Sequence, residues 1–346
     1  MKELAEKLYE THDLSDGELA ALIETDDADT AEHLRRRADE VRRKYYGNRV
    51  FLRGLIEISS YCRNNCHYCG IRRGNASAER YRLSREEILR CCENGCELGF
   101  RTFVMQGGED AFFTDDFLCS LIEEIKRRYP DCAVTLSLGE RSYESYRRLK
   151  ESGADRYLLR HEAADGELYS QLHPAEMSHE NRKRCLYDLK SLGYQVGAGF
   201  MAGAPFQTTK HIISDLRFMQ ELSPQMIGIG PFIPHAATQF AREKSGSVEL
   251  TIRLLGIIRL MFPKVLLPAT TALATVSPDG RKRGLMTGCN VIMPNLSPVM
   301  VREKYSLYDN KLCSDAEAAE CRDSLLRRQI EEAGCVIADE RGDAVN

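Results

Sequence analysis

From residue 48 onward, short apolar runs alternate with longer amphipathic segments, and eight such alternations can be counted over roughly 250 residues. Pairs of this kind are typical of βα units, which place parallel strands side by side in a sheet. The predicted strands are residues 50–59, 101–106, 133–138, 156–160, 195–200, 226–230, 265–269 and 290–293. Eight units of this length predict an α/β fold with a (β/α)8 TIM-type barrel. A doubly wound open sheet is the structural alternative.

The segments between the predicted strands carry helix start and stop signals. Ser84 and Glu87 form a capping-box pattern at the start of one segment, and Gly99 follows its end. The other predicted helices are residues 115–129, 142–152, 178–192, 208–222 and 249–262.

The sequence divides into three parts on the basis of this pattern. Residues 1–47 are predicted to form an N-terminal helical extension outside the main fold, with a helix start at Ser15. Residues 48–312 form the predicted barrel, and residues 313–346 form a short helical C-terminal tail.

Polar or glycine-rich residues follow every predicted strand. These exits are residues 59–60, 106–110, 139–140, 160–162, 197–201, 230–235, 270–271 and 293–295. In a barrel of parallel strands, the active site forms at the carboxyl ends of the strands. The pattern therefore predicts a functional site at this end of the fold.

Three cysteines directly follow the first strand: Cys62, Cys66 and Cys69, in a C-x3-C-x2-C spacing. Three thiolates can hold three irons of a 4Fe–4S cluster and leave the fourth iron open to a substrate or cofactor. A zinc site that recruits His67 is one alternative, and a chance grouping of reduced, buried thiols is another.

The composition and charge of the chain indicate its possible partners and its cellular environment. The chain has 346 residues, 13 cysteines and a net charge of −4, so nothing favours a polyanion-binding protein or nucleic acid as a partner. The basic runs at 35–37 and 42–44 are interleaved with acids and are typical of a solvated helix face. Neither a signal peptide nor an apolar run of about 18 residues is present, so we expect no membrane association and a cytoplasmic protein with reduced thiols. The chemistry of an exposed iron–sulfur site would further favour an anaerobic cytoplasm.

Other polar residues at the strand exits have both a structural and a functional interpretation. Gly107-Gly108 is compatible with an ordinary turn, and Glu109 beside it suits a clamp on an ammonium group. Arg160 and Glu162 lie two apart on a strand and share one face, so they form either an ion pair or part of the site. His161 points the other way and is predicted to be packed.

Together these motifs resemble the radical S-adenosylmethionine (SAM) superfamily. The cysteine loop lies at the first strand exit, Tyr68 precedes its third cysteine, and Gly107-Gly108-Glu109 lies at the second exit. Longer strings resemble the biotin-synthase-like group and, within it, the HydE family of FeFe-hydrogenase maturases. These strings are residues 69–73, 106–110, 135–140, 156–162, 228–235, 268–272 and 290–295.

The resemblance implies roles for individual residues. It implies that Cys62, Cys66 and Cys69 ligate one 4Fe–4S cluster. The residues implied to contact SAM or lie near it are Gly108, Glu109, Glu162, Arg182, Met293 and Tyr305. Those implied to line the deeper substrate cavity are Thr135, Arg156, Thr270, Thr271 and Tyr308. No side chain is implied to act as an acid or base in SAM cleavage.

The same resemblance implies a function and partners. Reductive cleavage of SAM would give a 5′-deoxyadenosyl radical that acts on sulfur of an iron-bound cysteine complex carrying CO and cyanide. The maturases HydG and HydF, and a reductant such as ferredoxin or flavodoxin, would be the partners. A biotin-synthase-like or methylornithine-synthase-like enzyme with an organic substrate is the alternative, and a zinc-stabilised binding protein is another.

One position departs from the family pattern. Many HydE proteins have a second cluster site, C-x7-C-x2-C, near the C-terminus. Here Cys313 and Cys321 keep the first spacing, but Ser324 occupies the third position. Because a hydroxyl is a poor iron ligand compared with a thiolate, we expect no stable second 4Fe–4S cluster.

Overall fold

The computed structural model describes residues 1–312 and 325–345 and has an α/β fold with a parallel sheet. The strands are β1 (Arg49–Leu52), β2 (Gly54–Ser59), β3 (Thr102–Gly107), β4 (Ala133–Ser137), β5 (Arg156–Leu158), β6 (Gln195–Ala198), β7 (Met201–Ala202), β8 (Met226–Ile227), β9 (Gly230–Pro231), β10 (Val291–Ile292) and β11 (Val336–Ala338). Six of them form the main sheet in the order β2-β3-β4-β5-β6-β8, with every pair parallel. The carboxyl ends of these strands therefore lie at one edge.

Helices connect most of the strands. They are α1 (Lys2–Thr11), α2 (Asp16–Glu24), α3 (Ala28–Tyr46), α4 (Arg85–Glu97), α5 (Asp115–Arg128), α6 (Tyr143–Glu151), α7 (Gly166–Leu172), α8 (His179–Ser191), α9 (Thr209–Leu222), α10 (Val248–Met261), α11 (Thr271–Val276), α12 (Gly280–Met286), α13 (Val299–Arg302) and α14 (Leu325–Glu332). Side-chain caps explain several starts: Ser84, Thr114, Ser142 and Ser178 each accept a hydrogen bond from the backbone N–H three residues later. The predicted capping box at Ser84 is present, and the predicted helix start at Ser15 also has a capping box.

Side chains of the sheet alternate between two environments. On β3, Phe103 and Met105 are fully buried in the main apolar core under the helices, whereas Val104 and Gln106 line an internal cavity. On β4, Val134 and Leu136 lie in the core in the same way, while Thr135 and Ser137 line the cavity. This alternation follows from the two-residue period of a strand and places polar groups on the cavity side.

The first predicted strand is divided in the structure. Residues 50–59 form β1 and β2, separated at Arg53; β1 pairs with β10 and β11, and β2 pairs with β3. Gly54 lies at the break, and a Cβ atom there would stand 2.1 Å from Leu296 Cδ1. A larger residue here would require the Leu296 side chain to move, and an apolar run in the sequence does not reveal this contact.

Two other predictions are corrected at the far end of the sheet. Residues 265–269 form no regular strand but make parallel bridges, from Leu266 to Met226 and from Pro268 to Val291. The predicted strand 226–230 is split into β8 and β9, and β9 pairs with β7 in a separate two-stranded sheet.

The sequence pattern predicted a helical C-terminal tail, but the tail also contains a strand. Helix α14 is followed by β11, which pairs in parallel with β1. The pairing partner is almost 300 residues away in sequence, so no local pattern could identify this strand. The cysteines Cys313 and Cys321, and Ser324, lie outside the described residues.

The three N-terminal helices pack on the outside of the fold against α9 and α10. His12 bonds the carbonyl of Leu260 at 2.8 Å, Arg217 pairs with Asp13 at 2.6 Å, and Leu34 packs against Gly256. Among the described helices, none is long and apolar enough to cross a membrane.

The last described residues lie where the main strands begin. The carbonyl of Arg341 accepts hydrogen bonds from Thr102 Oγ1 at 2.8 Å and from Arg156 at 3.0 Å. Arg156, which is fully buried, also forms an ion pair with Asp343 at 2.5 Å. The tail is therefore attached to the amino ends of β3 and β5, opposite the predicted site.

Replacing Asp343 by asparagine should destabilise the fold, because the buried guanidinium of Arg156 loses its only carboxylate partner among the described residues. Leaving a buried charged group poorly satisfied costs about 1–3 kcal/mol. Thermal and urea unfolding measure this loss. Glu340→Gln is the matched control in the same tail, since its ion pair with Arg49 is exposed on both sides and should contribute under about 1 kcal/mol. Equal effects of the two substitutions would contradict the anchoring role.

Candidate active site

A cavity of about 340 Å³ opens at the carboxyl ends of the main strands. All three loop cysteines line it, together with inward-facing residues of β2, β3 and β4. The predicted position of the site at this edge of the sheet is therefore where the structure has its internal cavity.

Hydrogen bonds from several elements hold the cysteine loop. The N–H of Arg63 donates to the carbonyl of Glu109 at 2.9 Å, and the N–H of Gly70 donates to the carbonyl of Leu307 at 2.8 Å. Arg63 also pairs with the Glu109 carboxylate at 2.8 Å. The loop is thus fixed to the second strand exit and to the segment after α13.

Gly108 allows the second strand exit to approach this loop. A Cβ atom at Gly108 would lie 2.2 Å from the carbonyl oxygen of Tyr61 and 2.6 Å from Cys62 Cβ. Any side chain larger than hydrogen would push the two segments apart. The Gly107-Gly108 pair is therefore more than an ordinary turn, because it brings Glu109 beside the cysteines.

The three thiols are held in a poorly solvated environment. Burial raises the pKa values of Cys62 and Cys66, in the latter case well above the usual value, and raises that of Cys69 to about 12. Since iron binds thiolates, loading the loop must release protons and replace them with metal charge. Partly buried thiols that face a cavity suit a cluster which supplies that charge.

The arrangement fits a multi-iron cluster better than a single metal ion. Among residues 1–312 and 325–345, no three His, Cys, Asp or Glu side chains converge closely enough to hold one metal ion. A cubane cluster places each thiolate on a different iron, so its ligands need not converge in this way. The zinc alternative, which needs four ligands around one ion, finds no support here.

Charged side chains surround the space beside the cysteines. Arg160 pairs with Glu162 at 3.0 Å, which is one of the two interpretations of their spacing, and Arg182 lies 2.8 Å from Glu140. Glu162 Oε2 is buried without a hydrogen-bond partner, whereas Arg182 Nε faces Glu140 Oε1 in its ion pair. Buried polar atoms normally have partners, so Glu162 Oε2 is available to an ammonium group of a ligand, and Arg182 adds a positive charge to the same cavity.

The segment after α13 covers one side of the cavity. Tyr305, Leu307 and Tyr308 line it, and Lys311 anchors the segment through a buried ion pair with Glu57 at 2.6 Å. Glu57 also accepts a hydrogen bond from Asn295 at 3.0 Å. Burial raises the pKa of Glu57. Its two partners, the ammonium group of Lys311 and the amide of Asn295, instead favour the ionised form, which the short contact with Lys311 implies.

The deeper part of the cavity combines apolar walls with a few polar groups. Thr135, Thr270 and Thr271 line it, and the hydroxyl of Thr135 is buried without a hydrogen-bond partner. Thr270 is the N-cap of α11, where its side chain accepts a hydrogen bond from the N–H of Leu273. Arg53, at the break between β1 and β2, also lines the cavity; it donates to Met226 Sδ and to the carbonyl of Gly342, while its Nε has no partner.

Thirteen of the fourteen predicted site residues line this one cavity. Arg156 is the exception, because it lies at the amino end of β5 and binds the C-terminal tail. His161 is fully buried and packed, as predicted, with Nε2 at 3.2 Å from Asp215. The sequence interpretation missed Arg53, Glu57 and Lys311, although a charged residue inside the apolar run 50–59 was a signal that could have identified the first two.

Comparison with known proteins agrees with this site. A sequence model of the radical SAM superfamily matches residues 56–219. FeFe hydrogenase maturase subunit HydE of Thermotoga maritima is 45% identical over 312 residues, which cover 90% of this chain and 88% of that protein. 3-Methylornithine synthase of Methanosarcina acetivorans is 32% identical over 309 residues, covering 89% and 87% of the two chains. The crystal structure of methylornithine synthase (PylB) superimposes with a TM-score of 0.84 at 28% identity, covering 97% of both chains.

The fold, the cysteine loop and these matches define a radical SAM enzyme, a class that uses one 4Fe–4S cluster and SAM. Within that class the chain belongs to the HydE family.

Proposed function

We propose that the chain takes part in FeFe-hydrogenase H-cluster maturation, with an iron-bound cysteine complex carrying CO and cyanide as its substrate. Bound to the cluster and reduced by one electron, SAM supplies a 5′-deoxyadenosyl radical, which here would act on the cysteine sulfur. The identity to HydE supports this function, and the charges of the cavity support the substrate class.

The charge pairing within the cavity is the observation that carries the proposal. Glu57, Glu109 and Glu162 are the carboxylates among the described lining residues, and each has a basic partner: Lys311, Arg63 and Arg160 respectively. A diamino acid such as methylornithine needs carboxylates for its ammonium groups, because burying an unpaired cation is costly. An anionic complex instead suits the deep cation Arg53 and the apolar surface for CO around it.

Residue roles follow from this proposal. Cys62, Cys66 and Cys69 would hold the cluster; Glu162 and Arg182 would bind the methionine part of SAM. The residues proposed to lie near SAM are Gly108, Glu109, Met293 and Tyr305, and those proposed to contact the substrate are Thr135, Thr270, Thr271 and Tyr308. The walls would keep water and competing molecules away from a reactive primary radical.

The direct test compares two substrates under anaerobic, reducing conditions. The reconstituted protein is given SAM with either the cysteine-bound iron complex or lysine, the linear isomer of methylornithine. A 5′-deoxyadenosyl adduct or its products should form with the iron complex only. Conversion of lysine, with no reaction of the iron complex, would support the methylornithine-synthase alternative instead.

Replacing Arg53 by methionine should weaken binding of the anionic complex by about ten- to a hundredfold, because a charge-assisted contact is lost while most of the volume is kept. SAM cleavage without substrate should change little. Titration of the complex, followed by the rate of 5′-deoxyadenosine formation, measures the effect. Arg49→Met, which removes an exposed arginine four residues earlier, is the control. Undiminished binding to the Arg53 variant would contradict the role of this cation.

We also propose that the strands close into a (β/α)8 barrel. Residues 48–312 would form this barrel, and residues 1–47 and 313–346 would be extensions of it. Parallel bridges from Met226 to Leu266, from Pro268 to Val291 and from Asn295 to Leu55 support closure, because together they run from the last strand of the main sheet to its first. HydG and HydF would be the maturation partners, and a ferredoxin or flavodoxin the reductant, as the identity to HydE suggests.

We propose that no stable second 4Fe–4S cluster forms at Cys313 and Cys321, since Ser324 replaces a thiolate. Cys321→Ala should therefore leave SAM cleavage within about twofold of the parent protein, because the cluster that cleaves SAM is proposed to be held by Cys62, Cys66 and Cys69. The measurement is 5′-deoxyadenosine formation per protein. A large loss of this activity would contradict the proposal.

A further inference from the structure

The half of the cysteine loop between Cys66 and Cys69 is held by a segment that no sequence motif identified. Helix α7 ends at Leu172, and its last carbonyls face this half of the loop. The N–H of His67 donates to the carbonyl of Leu172 at 3.0 Å, and its ring Nδ1 lies 3.1 Å from the carbonyl of Gln171. Terminal helix carbonyls lack partners within the helix, so the loop satisfies them.

Two further contacts attach the neighbouring loop residues to the segment that follows α7. The hydroxyl of Tyr68 lies 3.2 Å from His173 Nε2, and the two rings meet edge to face at 5.4 Å. Cys66 Sγ lies 3.6 Å from Met177 Sδ. Each residue from Cys66 to Tyr68 therefore contacts the stretch 171–177.

The direction of the Tyr68–His173 hydrogen bond can be assigned. His173 Nδ1 lies 3.0 Å from the carbonyl of Tyr169, which can only accept, so Nδ1 carries the proton. Nε2 is then an acceptor, and the Tyr68 hydroxyl donates to it. Burial, reinforced by the charge of Arg182, lowers the pKa of His173 to about 3, so the ring stays neutral and keeps this acceptor.

The environment makes this hydrogen bond hard to replace. His173 is buried, stacks on the Tyr169 ring at 4.0 Å, and is not among the cavity-lining residues. The ring of Tyr68 lines the cavity, and burial raises the pKa of its hydroxyl well above the usual value. Without an acceptor at position 173, the Tyr68 hydroxyl would lose its hydrogen-bond partner, or it would move and displace the Cys66–Cys69 turn.

We propose that His173 is a positioning residue for the cluster: by accepting a hydrogen bond from the Tyr68 hydroxyl, it holds the Cys66–Cys69 turn in the form that receives the cluster. This role concerns the chain's own loop and does not depend on which substrate the enzyme uses. Its test therefore needs no substrate and can fail independently of the proposed maturation function.

The test measures iron retention after anaerobic reconstitution of the full chain. His173→Leu should release iron to a ferrous chelator about tenfold faster than the parent protein, and the EPR spectrum of its reduced cluster should change. His173→Gln, whose side-chain amide keeps an acceptor near the position of Nε2, should restore both properties. Tyr68→Phe should also release iron faster than the parent protein, because it removes the same hydrogen bond and leaves the buried His173 Nε2 without a donor.

The double variant Tyr68→Phe/His173→Leu gives the decisive comparison. It should release iron no faster than His173→Leu alone, since both substitutions remove the same hydrogen bond and the double variant has no unsatisfied hydroxyl. His179→Leu is the matched control: His179 contacts the same Tyr169 ring and a backbone carbonyl but has no hydrogen bond to the cysteine loop. Parent-like iron retention in His173→Leu, losses from the two single substitutions that add up in the double variant, or an equal loss in His179→Leu would each overturn the proposal.

Discussion

Replacing Cys66 by alanine should reduce SAM cleavage to background. Only two thiolates would remain in the loop, and they cannot hold three irons of a cluster whose fourth iron must stay open. Cys66 is also the cysteine in contact with Met177, so its loss removes one of the links between the loop and the stretch 171–177. The measurements are the iron and sulfide content after anaerobic reconstitution and the formation of 5′-deoxyadenosine.

Cys96→Ala is the matched control for this experiment. Cys96 lies on α4, is partly buried, and does not line the cavity. The control variant should take up iron and cleave SAM as the parent protein does. A Cys66 variant with normal 5′-deoxyadenosine formation would show that the cluster is held by other residues.

Gly108→Ala should have the second-largest effect on the site. The added methyl group would stand 2.2 Å from the carbonyl of Tyr61 and 2.6 Å from Cys62 Cβ, so the second strand exit and the cysteine loop must separate. Forcing a group against backbone in a packed region typically costs about 1–3 kcal/mol, equivalent to roughly a five- to hundredfold loss in an equilibrium. We expect SAM affinity to fall within that range, as measured by equilibrium binding to the reconstituted protein.

Gly17→Ala serves as its control, because an added Cβ at Gly17 on α2 meets no atom within 4 Å. This substitution should leave SAM affinity unchanged and slightly favour the helix. If Gly108→Ala bound SAM as tightly as the control, the close approach of Gly108 to the loop would not be required for cofactor binding.

Local sequence signals predicted the features that depend on neighbouring residues. The helix starts at Ser15 and Ser84 follow from short spacings and are present. The positions of Cys62, Cys66 and Cys69 at a strand exit follow from the order of elements along the chain. Such signals are reliable because their partners lie within a few residues.

Features that depend on distant contacts could not be obtained in this way. Arg156 matches the family string, but its height along β5 places it near Asp343, a residue 187 positions later. Strand β11 becomes a strand by pairing with β1 rather than through its own pattern. Helix α7 is only seven residues long, so its periodicity is weak, yet it supplies the contacts to His67.

The most direct test of the radical SAM assignment is anaerobic reconstitution with iron and sulfide, followed by EPR of the reduced protein with and without SAM. An open iron predicts a cluster spectrum that changes when SAM is added, because the cofactor binds the metal itself. A protein that took up zinc but no iron, or a cluster whose spectrum did not respond to SAM, would contradict the assignment of Cys62, Cys66 and Cys69 to an open 4Fe–4S site.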